Sequence, residues 1–579
     1  MSKTPQFDQK LKEILDATQP GERVCPVTGE KWEMTDEEIG WYKKFNVPPI
    51  KVSPNTLWKQ MSYYDCGYQF WWNKHAQTGK PVLSFHHPAS GIRVLPDVEW
   101  HNNDFSSIHQ DYKAGQTFFE QLRELELRVP FPATSNRVGP ENSITLFSFG
   151  DRNSYFTFAC ESENTFFAAG AMGVQDSSLI FTGGKIVKSH HCLKSSRIFN
   201  CRFARQSYDC MDGAFLFDCR NCQWCFGASN KRNKKYIWMN EQLSQTEYEE
   251  RLKEVDLGVR SVVEKWTKEF DDLLHKEGIW PENFNEKTED STGDYLNNAV
   301  RCHECYDSAD APVDNYHCAW NYGVSQNNAH MWGNVDSSDC YMCVSSPNSH
   351  ETLFNYRSTR MDHCEYCMVC IDCKNCFGCI GIQKKEFCIL NTQYSEVEYW
   401  QKVDEIKCAM LEQGVYGGYF PVELSSTYVP ECGAVVYNGA TKKDLESIGG
   451  NLFDASAQDA TGEDRIDRSK IKSCNDIPDS IDDLTDEWVG VPIFDPNAGR
   501  TFSFLKPEID HYRKMRIAPP NQHFIQRLHA VTQGGQQSAF EKRTCAHCNS
   551  ELTVSVCIKY PDRRIYCKPC YLNYLEQYG

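Results

Sequence analysis

The sequence predicts a mainly β chain with peripheral helices, in which duplicated Cys-rich, β-solenoid-like blocks lie between two related end modules. Three observations carry that expectation. The stretch CEYCMVCIDCKNCFGC places Cys364, Cys367, Cys370, Cys373, Cys376 and Cys379 at every third residue. DCRNCQWCFG (218–227) matches DCKNCFGCIG (372–381), 154 residues on, so the Cys-rich unit occurs twice. CPVTGEKWEMTDEEIGWYKKFNVPP near the start matches NAGRTFSFLKPEIDHYRKMRIAPP near the end at an offset of 470, with Gly29 over Gly499, Glu38 over Glu508, Tyr42 over Tyr512 and Pro49 over Pro519.

Composition narrows the class. The 579 residues, 40% hydrophobic and 13% aromatic, can fill the cores of about three or four domains. A net charge of −18 opposes adsorption of the whole molecule to nucleic acid, though not binding by a local basic face. The 29 cysteines are an odd number, and the opening MSKTPQFDQKLKEILDATQ has neither an apolar core nor a small-residue cleavage site; both point to the reducing cytoplasm. No run approaches the roughly 18 apolar residues of a membrane span.

In chain order, residues 1–22 begin with Thr4-Pro5 as cap and first turn of a helix that gathers Phe7, Leu11, Ile14 and Leu15 on one face. Residues 23–130 are the N-terminal copy of the end module and 488–579 the C-terminal copy. In the latter, CAHC and CKPC are separated by eighteen residues, the pattern of a four-thiolate zinc ribbon, so Cys545, Cys548, Cys567 and Cys570 are expected to hold Zn2+. In the N-terminal copy His75, Thr78, Val94 and Asp97 fall in the corresponding places. Thr and Val cannot ligate zinc, so this module reads as degenerate and metal-free. His86 and His87 read as a polar loop before Pro88.

Phe118, Phe119, Leu122 and Leu125 mark a helix that stops before Pro130. The first β-solenoid-like block, 131–243, is made of short strands such as SYFTFAC and SSLIFTGGKIV, with Cys192, Cys201, Cys210 and Cys219 nine apart as if stacked. Residues 244–290 form a helical connection, opened by a Ser244–Glu247 capping box, whose Val259, Val262, Val263, Trp266 and Phe270 would cover an end or side of the block. The second block, 291–394, closes as the first does, and Ser395–Glu398 repeats the capping box. A helix and extended segment occupy 395–438, and an acidic linker poor in large apolar groups occupies 439–487.

Cysteine at this density means either a metal or cluster site or small side chains buried in a repetitive fold. With Cys219, Cys222 and Cys225 set over Cys373, Cys376 and Cys379, Gly213 stands over Cys367 and Leu216 over Cys370. A ligand cannot become glycine or leucine, whereas a buried apolar position can. The spacing also matches no ferredoxin pattern closely. Structural cysteine is therefore the favoured reading, beside a zinc site using part of the run and an iron–sulfur cluster. Cys302, Cys305, Cys340 and Cys343 are candidates for a second zinc site. No catalytic residue is assigned, since GxSxG, a Gly-rich phosphate loop with its lysine, and HExxH are all absent.

HYRKMRIAPP, the terminal CAHC and YCKPCY, NCFGCIGIQKKEFCILNTQYSEVEY and GGYFPVELS together resemble a family of uncharacterised bacterial proteins, abundant in candidate-phyla genomes, that carry zinc ribbons around Cys-rich repeats. The resemblance implies an architecture and no reaction, and the missing ligands of the N-terminal module depart from it. The expectation is a non-enzymatic, cytoplasmic, zinc-binding scaffold that works through a protein partner or self-association, without a membrane. The alternatives are a nucleic-acid or ribosome-associated protein and a metal or redox enzyme. The first of these would use the basic stretch of the C-terminal module: Arg513, Lys514, Arg516, Arg527, Lys542, Arg543, Arg563, Arg564 and Lys568.

Overall fold

The computed structural model describes residues 2–65, 67–451, 453 and 468–579. It is mainly sheet with some helices, and its described residues fall into two compact units. One is drawn from 1–133, 283–454 and 538–540, the other from 134–282, 455–537 and 541–579. The N-terminal module thus shares a unit with the second Cys-rich block, and the C-terminal module with the first.

The first block is an eleven-stranded mixed sheet running from Ile144–Leu146 to Glu241–Gln242. From Phe166 on, neighbouring strands pair in parallel twelve residues apart, as in Phe166↔Ser178, Ile180↔Cys192, Arg202↔Ala214 and Gln223↔Lys235. Only the last pair, Ile237↔Gln242, is antiparallel. From Lys185 to Tyr236 every third residue has positive φ, so left-handed corners separate sides of three residues. Many corners are Asn or Asp, including Asn200, Asp209, Asp212, Asp218, Asn221 and Asn233, the residues that tolerate this conformation best after glycine.

The residue after each corner points inward, which puts four inward side chains on each twelve-residue turn. Cys192, Cys201, Cys210, Cys219, Cys222 and Cys225 fill this interior together with Ile186, Ala204 and Leu216. The nine-residue cysteine interval is therefore not the stacking interval. Cys192 lies over Ala204, twelve on, and successive cysteines step back one corner per turn. Outward residues twelve apart do stack: Arg197 binds Asp209 at 2.6 and 2.8 Å, Asn221 binds Asn233 at 2.7 Å, and the rings of Phe203 and Phe215 lie 4.6 Å apart. The helix Arg260–Glu277 covers a side of the block, with Trp266 against Phe226 and Trp238 and Phe270 against Phe215.

In the other unit the second block begins with a twelve-residue pairing, Gly293↔Cys305, and shifts to thirteen from Val300↔Val313 to Tyr322↔Val335. It returns to twelve from Gln326↔Ser338 to Ile371↔Gln383, mostly as single bridges. The six cysteines of the densest run are buried here with Met361, Ile382 and Cys388. Each thiol donates toward carbonyls two residues back and nine ahead: Cys364 to Asp362 and Cys373 at 3.3 and 3.4 Å, Cys370 to Met368 and Cys379 at 3.4 and 3.3 Å. Ser337 and Ser358 occupy the same kind of position and make the same pair of bonds, at 3.2 to 3.3 Å. The position calls for a small donor that can turn back on the main chain, and sulfur is one way to supply it.

Locally encoded features form as their residues dictate. The helix Pro5–Ala17 buries Phe7, Leu11 and Leu15 but leaves Ile14, expected on the same face, exposed, and the Asp404 carboxylate accepts the Gln6 and Phe7 N–H groups at its start. Capping boxes close at Thr117–Glu120, Ser244–Glu247 and Ser395–Glu398. The acidic segment differs from its composition. Residues 452 and 454–467 lie outside the described residues, but Cys474, Ile477, Ile481, Leu484 and Trp488 pack with Ile509 and Tyr512 in a core. These apolar residues are spread over short turns, so no helix or strand period announces them. Among the described residues, no helix is long and apolar enough to cross a membrane.

Candidate metal centre

The strand ending at Thr544 turns into the strand beginning at Glu551 through a tight knuckle. The Cys545 N–H donates to the Ser550 carbonyl at 2.8 Å and the Asn549 N–H to the Cys545 carbonyl at 2.9 Å, with Asn549 left-handed. The second pair does not sit in a hairpin turn, as a ribbon would have it. Cys567 is the N-cap of the helix Lys568–Tyr578 and Cys570 lies in its first turn, because Pro569 favours a helix start. The Ala546 N–H, bonded to the Ile565 carbonyl at 2.8 Å, ties the knuckle to the strand entering that helix.

The sulfurs of Cys545, Cys548, Cys567 and Cys570 lie within 4.8 Å of one another, Cys548 and Cys567 at 3.7 Å. Cys545 is buried and Cys548 exposed. The Ser550 hydroxyl, followed by its N–H, holds the Cys548 thiol down to about 6, while the neighbouring Cys567 pushes Cys570 up to about 12. Four thiols this close cannot all ionise without a cation among them, and the positive end of a helix favours thiolate. The donor set therefore fits a metal ion, held by two ligands from the knuckle and two from the helix start.

The other candidates lie elsewhere. Cys302, Cys305, Cys340 and Cys343 are buried in one apolar cluster, but Cys302 and Cys340 are three turns apart, about 14 Å at the usual strand spacing. Their thiols instead donate to carbonyls, Cys302 to Val300 and Pro312, Cys340 to Ser338 and Ser349. Burial pushes Cys343 up to about 12. His86 and His87 are buried rather than in an open loop: His86 Nδ1 lies 2.5 Å from the Ser426 hydroxyl, and His87 caps the turn Pro88–Ser90. Burial, then Arg357, pushes His86 down to about 3. Glu351, Asp362 and His363 form the second grouping of potential ligands among the described residues. It lies on the surface and is accounted for as an ion-pair network, with Lys374 3.1 Å from Asp362.

Three further copies of the knuckle are present; sequence reasoning found the one at His75 and missed those at Cys25 and Asp495. Cys25 to Glu30, His75 to Lys80 and Asp495 to Arg500 each repeat the cross-turn pairing, with Gly29, Gly79 and Gly499 left-handed where Asn549 stands. Each is followed by a helix whose N-cap and third residue occupy the places of Cys567 and Cys570: Ser53 and Thr56, Pro96 and Glu99, His523 and Gln526. Val94 and Asp97 are thus displaced from the ligand places expected of them, because the Ala76 N–H bonds to Val94 as Ala546 does to Ile565.

Hydrogen bonds stand where the metal would. At the first copy, Cys25 and the Thr28 and Ser53 hydroxyls converge on Thr56 Oγ1 at 3.5, 3.4 and 2.9 Å. Burial works to raise the Cys25 thiol, and the Thr28 and Thr56 hydroxyls outweigh it, bringing it to about 7. At the second, His75 Nδ1 accepts the Gln77 and Thr78 N–H groups, so its proton sits on Nε2, 2.9 Å from Glu99. At the third, Asp495 accepts the N–H groups of Asn497 and His523, both at 2.8 Å. Because the first copy already has four side chains converging, the triple variant Thr28→Cys, Ser53→Cys, Thr56→Cys should complete a site with Cys25. Elemental analysis should find one more metal ion per chain than in the parent, and an unchanged ratio would refute the equivalence.

No family model and no curated protein matches the chain. Among solved structures there is a likeness to a chain described as an acetyltransferase from Desulfovibrio desulfuricans G20, at 7% identity and a TM-score of 0.10. It covers 50% of this chain and 85% of that one, and at such a score it carries no argument about fold or reaction.

Proposed function

We propose that the chain is a non-enzymatic scaffold, akin to the bacterial zinc-ribbon proteins it resembles. Its two Cys-rich blocks act as rigid β-solenoids that present a binding surface, and a zinc ion at Cys545, Cys548, Cys567 and Cys570 locks the last helix in place. The observation that carries this reading is the twelve-residue register, held from Phe166 to Lys235 in the first block and from Gln326 to Gln383 in the second. It fixes outward side chains in straight columns and spends the cysteines on the interior, where their thiols turn back on main-chain carbonyls. Four thiolates without a fifth ligand suit a closed, structural zinc site rather than a catalytic one. Reduced thiols in this number fit the cytoplasm.

The test is the mass of the tagged chain in extract from its native cell. A discrete complex above the 66.7 kDa of one chain, containing the same partner or a second copy in repeated isolations, is the expected result. Elution as a free monomer at physiological salt would refute the reading.

A further inference from the structure

The basic residues expected to form a nucleic-acid site in the C-terminal module are largely engaged at home. Arg513 pairs with Asp486 at 2.6 Å, Arg516 with Asp256 and Asp482, Lys514 with Asp176 at 3.0 Å and Arg543 with Glu541 at 3.1 Å. The first β block carries more cations, of which Arg197, Arg205 and Arg232 are paired with Asp209, Asp271 and Asp218. Between Ser178 and Tyr236 it carries eleven Lys and Arg against three Asp and no Glu. The matching stretch of the second block, 332–390, has five against seven. In a chain of net charge −18, positive charge is concentrated on one block.

The twelve-residue pitch sorts these charges by side. Columns that include Phe215, Phe226 and Trp238 are covered by the helix Arg260–Glu277. Other columns carry exposed Lys185, Lys188, Phe199, Met211 and Lys235. Cations alternate there with rings: Lys188 stands 5.6 Å over Phe199, Arg220 4.3 Å over Tyr208, and Lys235 5.3 Å over Trp224. Trp224 is itself stacked on Tyr236 at 5.4 Å and 7°. Phe199 and Met211, 38% and 43% exposed, are adjacent in one column.

We infer that this face binds single-stranded nucleic acid, with Lys188, Arg220 and Lys235 on phosphates and Phe199 and Trp224 offering surface to bases. Charge complementarity selects a polyanion. The rings between the cations select one with flat, apolar faces, as single strands have and polyphosphate and acidic peptides lack. A duplex keeps its bases stacked inside and would leave the rings idle. The inference rests on the binding reading above and names its partner class.

The test uses the full metal-loaded chain and a fluorescent single strand of about 16 nucleotides, read by anisotropy. Binding at about 50 mM salt that weakens steeply toward 200 mM is expected. Lys188→Glu with Arg220→Glu should weaken it about tenfold and flatten the salt dependence. Phe199→Ser, at an exposed position, should weaken the strand and leave polyphosphate binding unchanged, and circular dichroism and metal content should match the parent in every variant. Absence of binding at low salt, indifference to these substitutions, or equal loss of polyphosphate with Phe199→Ser would overturn the inference. With the mass of the native complex unchanged, such a failure would leave the scaffold reading standing.

Discussion

Stripping the metal, or replacing Cys567 by Ser, should release the C-terminal helix while the β block of the same unit stays folded. The helix Lys568–Tyr578 is eleven residues long and buries only Tyr571 among its side chains. A helix of that length is marginal without tertiary anchors. Its other anchors are the Tyr571 hydroxyl on Asp218, whose carboxylate also takes Arg232 and Asn230 at 3.0 Å, the Lys231 ammonium on the Tyr578 carbonyl at 2.8 Å, and the Tyr574 ring against Tyr566. Thiolate–metal bonds of a structural site contribute on the order of 10 kcal/mol in small domains, far more than one such hydrogen bond. Hydrogen exchange should rise across 545–550 and 565–578 on chelation and return on adding zinc, while 178–238 keeps its protection. Unchanged exchange in the helix would mean the four thiols hold nothing.

The second large effect is expected inside the cysteine run. A Cβ added to Gly213 would lie 2.9 Å from Leu216 Cδ1, so the leucine occupies room that a side chain at 213 would need. Their counterparts are Cys367 and Cys370, both buried in one cluster. Cys370→Leu alone should overpack the turn and destabilise by about 1–3 kcal/mol. Adding Cys367→Gly should recover most of that loss, a coupling of about 1–2 kcal/mol by denaturant titration. Cys370→Ser should cost about 1 kcal/mol, since Ser358 already makes the same two carbonyl bonds in the same block. Were the run a cluster site, the double variant would be worse than either single one.

What could be read from sequence alone followed the range of the interactions. Capping boxes, the N-terminal amphipathic helix and the CAHC knuckle are set by residues a few positions apart, and each forms at its expected place. The match between the end modules was also legible, since Glu38–Tyr42 and Glu508–Tyr512 repeat one buried pair, with Glu38 pushed up to about 7 chiefly by burial. The pitch of the β blocks was not. Inward positions accept Cys, Ser, Ala, Asn and Thr alike, which leaves no hydrophobic period, and cysteines nine apart imitate a repeat that is really twelve. The knuckles at Cys25 and Asp495 were hidden for a related reason: their ligands became hydroxyls and a carboxylate, and only the left-handed Gly29 and Gly499 kept the trace.

The separation of one metal centre from a structural store of thiols is tested most directly by the metal-to-protein ratio of the chain as isolated, measured by elemental mass spectrometry. One zinc per chain and no iron is the expected result, falling to none when Cys567 is replaced by Ser and unchanged when Cys370 is. Iron, several metals per chain, or a ratio that follows Cys370 instead of Cys567 would contradict it.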